Sequence, residues 1–517
     1  MNFSKRLAAN GLVLAAVLGA ANNAWSQPKA QTQHPKLVLG IVVDQFRYDY
    51  LTRFRSEYTG GLKRLLEEGA NFTNSNYSYA PTVTAAGHTA MLTGAPPSVT
   101  GIVGNEWWDR ETNATVTSVS DPRTRLVGGN GAGSSPRRLL QSTIGDELKA
   151  VGRAGRLIGI SIKDRAAILP AGHAADAAYW FDAPSGRFVT SSFYMSSLPA
   201  WLDDVNKGKP ADKYAGMEWL KHKMPAAAGR ALYDEVEATP YGNELVQMMA
   251  LRALGAERLG TTAGKTDVMT VSYSSNDYVG HRYGPDSEEV HDMALRVDKL
   301  IGELLQAAEA QAGAGTVLAF LTADHGVAPI PEENVKRKMP GGRLDYEQIR
   351  TTLNLVLGAK YGGSHWIAYL SEAGIYLDLA TVGAQRATLE EVEDAAAAAL
   401  RALPHISRVY TRTQLLSGNV PADRMGTAVR NGYYAARSGN LFFVPEAYWM
   451  GAATGTTHGT PYDYDSHVPM LFWGSGIKAG RYNGQVSPTD IAPTMATLLE
   501  IETPSGSVGR VLSEMLK

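Results

Sequence analysis

The stretch Lys36-Leu-Val-Leu-Gly-Ile-Val-Val-Asp44 is one unbroken apolar run, rich in β-branched residues, that ends on a carboxylate. A strand with one face in water would alternate apolar and polar side chains. A continuous run predicts a strand buried on both faces, as in a parallel sheet covered by helices on each side. Four further runs read the same way: Arg156 to Ile162, Val268 to Tyr273, Thr316 to Thr322 and Pro469 to Trp473. Helical patterns lie between them. Gly61 to Gly69 is one. A longer one begins at Asp286, with Glu289 at the capping-box position and apolar residues at Val290, Met293, Val297, Leu300 and Leu304. The alternation predicts an α/β fold with a mainly parallel central sheet flanked by helices.

Two long stretches break this rhythm. Residues 182–265 are rich in Trp, Tyr and small residues and contain a helix start at Thr239-Pro240; residues 327–450 contain one at Thr388, with Glu391 completing a capping box. Both are expected to be insertions capping the active-site face of the sheet.

The N-terminus resembles an export signal. Lys5 and Arg6 precede an apolar run from Gly11 to Ala21, and Ala24-Trp25-Ser26 forms a small-x-small cleavage pattern before Gln27. The run is shorter than the roughly 20 residues a membrane span needs, so the expectation is a signal peptide over 1–26, no membrane anchor, and a periplasmic or secreted protein starting near Gln27. The chain has 517 residues and no cysteine, which excludes disulfides and thiolate ligands. Removing Lys5 and Arg6 from the 49 basic residues leaves 47 against 51 acidic ones. That near-neutral balance gives no nucleic-acid-binding surface. It sets no oligomeric state, and a monomer satisfies it.

Acids and histidines recur just after the predicted strands. Asp44 closes the first. Asp277 follows the Val268 strand and lies four residues before His281, so the two share a face on one helical turn. Asp324 and His325 follow the Thr316 strand, and His458 sits in Thr456-Thr-His-Gly-Thr460. Singly, each is an ordinary turn or hydrogen-bonding residue. Together they lie where open α/β sheets bind ligands, at the carboxyl ends of strands. Carboxylate and imidazole without thiolate suits zinc or a similar divalent ion, and six such ligands are enough for two. In Ala80-Pro-Thr-Val-Thr-Ala-Ala-Gly-His88, Thr84 precedes a helical run, where free N–H groups and the positive end of the helix dipole suit phosphate oxygens. Seen alone, that segment is better explained by a plain Thr N-cap than by catalysis. Thr82 and Thr89 are rival hydroxyls.

These segments resemble the alkaline phosphatase superfamily. The Thr84 segment, with Thr93-Gly94 and Gly101-Ile-Val-Gly-Asn105, is similar to the nucleophile region shared with nucleotide pyrophosphatase/phosphodiesterases. Ser161-Ile-Lys-Asp-Arg165 is similar to the Lys-x-Arg element of phosphate-irrepressible periplasmic alkaline phosphatases with a threonine nucleophile. The likeness extends from Asp44 to Thr489-Asp-Ile-Ala-Pro-Thr494. It implies two Zn2+ per chain, one on Asp277, His281 and His458 and the other on Asp44, Asp324 and His325. It further implies Thr84 as the nucleophile, with Asn105, Lys163 and Arg165 on the phosphoryl oxygens. It leaves His88, His173 and His467 without a role beyond structural hydrogen bonding. The implied reaction is hydrolysis of small-molecule phosphate monoesters through a phospho-threonine. The charges agree: two zincs, three carboxylates, an alkoxide, a phosphate dianion and two cationic side chains sum to zero. A phosphodiesterase on the same metal core is the first alternative. A sulfatase is disfavoured because the segment lacks a Cys- or Ser-x-Pro-x-Arg pattern, and a non-catalytic phosphate-binding protein because no ligand or nucleophile is missing.

Overall fold

The computed structural model describes residues 34–517, so the expected signal peptide lies outside the described residues. Eleven strands form the main sheet: β1 Leu37–Val43, β2 Ala70–Ser75, β3 Ser120–Val127, β4 Ala132–Ser134, β5 Ala154–Ser161, β6 Ala177–Asp182, β7 Arg187–Ser191, β8 Thr266–Tyr273, β9 Val317–Thr322, β10 Met470–Gly474 and β11 Gly480–Val486. Their order is β11-β2-β10-β9-β1-β8-β5-β6-β7-β3-β4. The five central strands β9, β1, β8, β5 and β6 are parallel. β10, one of the strands read from the sequence, runs antiparallel to β9, and the far wing through β7, β3 and β4 is antiparallel as well.

β1 shows why its sequence has no polar face. Leu37, Leu39, Ile41 and Val43 join a core with Leu245, Val246 and Met249 of helix α3 (Pro240–Ala256) and Val297, Ile301 and Leu304 of helix α5 (Glu288–Ala312). Val38 and Val42 point the other way, onto Met91 and Leu92 of helix α1 (Thr84–Thr93) and Ile491 and Met495 near the C-terminus. Each such side chain contributes about 1.5–3 kcal/mol by leaving water. Gly40 interrupts the run because a Cβ there would meet the Phe320 ring at 2.8 Å.

α5 starts one residue later than its sequence suggests. Ser287 is the N-cap, its hydroxyl accepting from Val290 N–H at 3.2 Å. Asp286 is instead engaged by Arg53 and Arg337, at 2.8 and 2.5 Å, which leaves the hydroxyl next along as the free capping acceptor. Thr388 and Glu391 do form a capping box, and Pro240 does open α3 after Thr239.

Within 182–265, β7 extends the sheet and α3 packs on its face, Gln247 accepting from Tyr273 Oη at 2.6 Å. Residues 327–450 form a separate layer with a four-stranded sheet (Ile367–Ser371, Gly374–Leu377, Leu441–Pro445, Ile406–Thr411) and their own apolar cluster around Leu353, Trp366 and Val392.

Candidate active site

The central strands end nearly level, with Val43 opposite Tyr273, Val42 opposite Thr322 and Ser272 opposite Ser161. Residues just beyond these ends therefore converge. Asp44 follows β1. Lys163 and Arg165 follow β5, Arg165 in the short helix α2 (Asp164–Ile168). Asp277 and His281 share a face of helix α4 (Ser275–Tyr283), with His281 Nε2 3.1 Å from Asp277 Oδ1. Asp324 and His325 follow β9, and both are fully buried. His458 comes from an irregular loop, and its ring stacks on His325 at 3.5 Å between centroids.

Three histidines are oriented alike. Nδ1 of His281, His325 and His458 lies 2.7, 2.9 and 2.7 Å from the carbonyl oxygens of Thr456, Gly326 and Thr82. A carbonyl only accepts, so each Nδ1 carries a proton and each Nε2 is turned toward the acids, the orientation of a metal-ligating histidine. Among the described residues, two groups of three ligand atoms lie within 4.8 Å of one another: Asp277, His281 and His458, and Asp44, Asp277 and His325. The first matches the trio suggested by the resemblance. In the second, Asp277 takes the place expected for Asp324, whose Oδ2 lies 3.4 Å from His325 Nε2. Asp44 Oδ1, Asp324 Oδ2 and His325 Nε2 are buried without a hydrogen-bond partner. Orphaned acceptors of this kind at one strand edge fit a divalent cation.

Lys163 Nζ bridges the acids, 2.7 Å from Asp44 Oδ2 and 2.6 Å from Asp277 Oδ2. Burial and the nearby Asp324 push the Asp44 carboxyl up to about 7, against the pull of Lys163. Burial acts the same way on Asp277, but His281 and Lys163 overcome it and hold that carboxyl well below its usual range. Burial disfavours charge on His281, yet Asp277 raises it to about 9. Burial lowers His325 to about 4 and, with the neighbouring imidazoles, takes His458 well below its usual value. On Lys163 the burial penalty is outweighed by Asp277 and Asp44, so the amine is held in its charged form.

Thr84 is buried and is the first residue of α1; the N-cap is Val83, which offers no side-chain acceptor. Thr84 is thus not a capping threonine. Thr82 and Thr89 commit their hydroxyls to the carbonyls of Thr460 and Ala85. Gly87 lets α1 settle on the end of β9, since a Cβ there would lie 2.2 Å from the Asp324 carbonyl. Asn105 Oδ1 accepts from Ala85 N–H at 3.0 Å, in the first turn of α1. His173 and His467 hydrogen-bond to the carbonyls of Leu139 and Thr73.

Two contributors went unread in the sequence. Gln45 has φ +60°, a strained value for a side-chain-bearing residue, and is held there by bonds from its N–H to Asp324 (3.1 Å) and from its amide to Asp277 (2.6 Å). Glu372, from the 327–450 layer, accepts from Asn105 N–H at 2.6 Å. Burial raises its pKa, with the Asn105 N–H and Arg165 pulling the other way. Gln45 was signalled only by its place after Asp44. Glu372 had no local signal.

Residues 38–466 match the family described as type I phosphodiesterase/nucleotide pyrophosphatase, and the chain belongs to it, as an enzyme of the alkaline phosphatase superfamily. Among its relatives is alkaline phosphatase PafA of Elizabethkingia meningoseptica, 37% identical, with 98% of each chain covered. Another, from Myroides odoratus and named a calcium-transporting ATPase, is 36% identical over 94% of this chain and 95% of its own. The crystal structure of wild-type PafA matches with a TM-score of 0.87 at 35% identity, covering 94% of this chain and 99% of that one. A solved PafA variant changed at a threonine, an asparagine, a lysine and an arginine matches equally well.

Proposed function

We propose that the chain is an alkaline phosphatase that hydrolyses small-molecule phosphate monoesters and releases inorganic phosphate. One observation carries the reading: a buried lysine and a half-buried arginine, Lys163 and Arg165, stand at the strand edge that holds the acid and histidine cluster. A monoester dianion has three free phosphoryl oxygens and a second negative charge for such cations to meet. A diester has one charge and a second organic group. The PafA variant altered at the same four residue types, in the same chain order as Thr84, Asn105, Lys163 and Arg165, supports this choice of residues.

Asp277, His281 and His458 would hold one zinc, and Asp44, Asp324 and His325 the other, the thiolate-free donor set being one that zinc takes. When bound, the ions supply Lewis-acid activation of the attacking and leaving oxygens. Thr84 Oγ attacks phosphorus in line, forming the phospho-threonine ester as the alcohol departs. Water then cleaves that ester, restoring Thr84 and freeing phosphate. Asn105 spends its carbonyl oxygen on Ala85 N–H, which turns its amide donors outward to a phosphoryl oxygen. Lys163 and Arg165 offset the remaining charge on the transferred group.

The name of the Myroides relative points to ATP, whose terminal phosphoryl group is likewise a dianion. No helix among the described residues is long and apolar enough to cross a membrane. We read the chain as one catalytic domain over 27–517 with insertions at about 182–265 and 327–450, exported after cleavage near Gln27. The deciding experiment compares kcat/KM of the zinc-loaded protein for an aryl monoester, diester and sulfate with the same leaving group. A preference for the diester would overturn the monoesterase reading.

A further inference from the structure

A chain of buried hydrogen bonds runs beneath the site, through residues with no part in the proposed chemistry. His88 is fully buried in α1. Its Nδ1 lies 2.9 Å from the Thr84 carbonyl oxygen and 3.2 Å from Asp324 Oδ2. Its Nε2 lies 2.8 Å from Ser272 Oγ. Ser272 Oγ is 3.0 Å from Ser274 Oγ, which is 3.0 Å from Ser161 Oγ, and Ser161 Oγ accepts from Lys163 N–H at 3.2 Å. None of the three serines is more than 2 % exposed.

The chain has a direction at each end. A backbone N–H only donates, so Ser161 Oγ accepts from Lys163. Nδ1 of His88 faces a carbonyl and a carboxylate, neither able to donate, so it carries the ring proton. Nε2 is then free to accept from Ser272, whose oxygen lies 3.0 Å from Ser274 Oγ; Ser274 Oγ in turn lies 3.0 Å from Ser161 Oγ, which also donates to the Ser272 carbonyl oxygen at 3.2 Å. Every hydroxyl in the chain is satisfied, which matters because an unmade buried bond costs about 1–3 kcal/mol. The chain crosses from α1, through the end of β8, to the end of β5. It joins the residue that bears the nucleophile to the residue that bears the phosphoryl-binding amine.

We propose that His88 is a positioning residue which, through Ser272, Ser274 and Ser161, holds the Thr84 end of α1 in register with Lys163. It touches neither substrate nor metal. The proposal rests on the monoesterase reading for its effect on rate, but not for the hydrogen-bond chain itself.

The test is a double-mutant cycle on the zinc-loaded enzyme with an aryl phosphate. Ser272→Ala cuts the chain while leaving the Thr84 contact intact. It is expected to lower kcat/KM about tenfold, the equivalent of one buried hydrogen bond, with zinc content unchanged. In a Lys163→Ala background the same change should cost less than about twofold, because the group it positions is gone. His88→Asn, which keeps a donor near the Nδ1 position, should match Ser272→Ala and add little to it. Equal losses with and without Lys163 would mean a purely structural role and would overturn the proposal. Histidine-selective 15N NMR supplies the second readout: a protonated Nδ1 signal lost in His88→Asn and shifted in Ser272→Ala. A His88 ring protonated at Nε2 alone overturns the chain. The expected signal in an enzyme inactive on monoesters would support the chain and count against the monoesterase reading alone.

Discussion

Asp298 and Asp44 are both buried aspartates, at 1% and 0% exposure, and they are treated in opposite ways. Asp298, in the middle of α5, accepts from the backbone N–H groups of Thr59, Gly60, Leu62 and Lys63 at 2.7–3.3 Å. It thereby caps the helix Gly61–Glu68, whose N-cap Gly60 has no side chain to offer. Asp44 has one oxygen on Lys163 and the other on nothing. A structural carboxylate is closed by donors that fold with it. At the strand edge Asp44 and Asp324 each keep one buried oxygen without a partner, and a cation there would offset the burial cost.

The largest effects should come from the open side. Asp44→Ala is expected to cut turnover by more than about 1,000-fold and to lower bound zinc, while metal-free protein melts no earlier than metal-free wild type. Thr84→Ala should lose turnover to a similar degree, since removing a nucleophile forfeits the covalent route, yet keep its zinc because the six other ligands remain. Metal analysis beside steady-state rates separates the two. Normal turnover by Thr84→Ala with loss in Thr82→Ala would move the nucleophile to the other threonine.

The next effect down concerns the cations. A hydrogen bond to a charged group is worth about 1.5–3 kcal/mol, so Lys163→Ala or Arg165→Ala should cost roughly 10- to 150-fold on a monoester at about 1.4 kcal/mol per tenfold. A diester with the same leaving group should suffer much less. An equal loss on both would mean that these residues serve only the acids around them.

On the closed side the readout switches from rate to stability. Asp298→Ala strands four backbone donors and should destabilise the fold by several kcal/mol, lowering the melting temperature without changing specific activity below it. If Asp298→Ala lost activity and zinc at temperatures where it stays folded, the contrast between the two aspartates would fail.

How legible each side was in the sequence follows from the same contrast. Asp44, Asp277, Asp324 and His325 could be read because each sits just past an apolar run, and strand-end position is local information. His458, read with the others as lying at a strand end, instead sits in an irregular loop, and only the fold brings it to the cluster. Asp298 could not be read: its four donors lie more than 230 residues earlier, and nothing around it in α5 distinguishes it from a surface acid. Glu372 was hidden in the same way, meeting Asn105 across 267 residues. The α5 start was misplaced by one residue because Asp286 is a better N-cap on paper than Ser287, and only the fold brings Arg53 and Arg337 to it.

A third aspartate stands between the two extremes and gives the smallest prediction. Asp465 is fully buried; its Oδ2 accepts from the N–H and hydroxyl of Thr460 at 2.9 and 2.6 Å, while Oδ1 has no partner. It is half closed. Burial raises its pKa to about 7, only partly opposed by the Thr460 bonds. The folded chain therefore holds this proton up to about pH 7, whereas the unfolded chain releases it near 3.8. A folded-state pKa above the unfolded one means that stability is complete below about pH 4 and declines as pH rises toward 7. Asp465→Asn keeps an acceptor for Thr460 and has no charge to bury, so it should remove this decline. Between pH 5 and 8, with zinc content matched, the melting temperature of wild type should fall by about a degree or two more than that of the variant, a small shift because a chain this long unfolds with a large entropy. Identical pH profiles would mean that Asp465 is ionised in the fold at neutral pH. It would then belong with Asp44 as an open carboxylate whose partner remains to be found at the loop that carries His458.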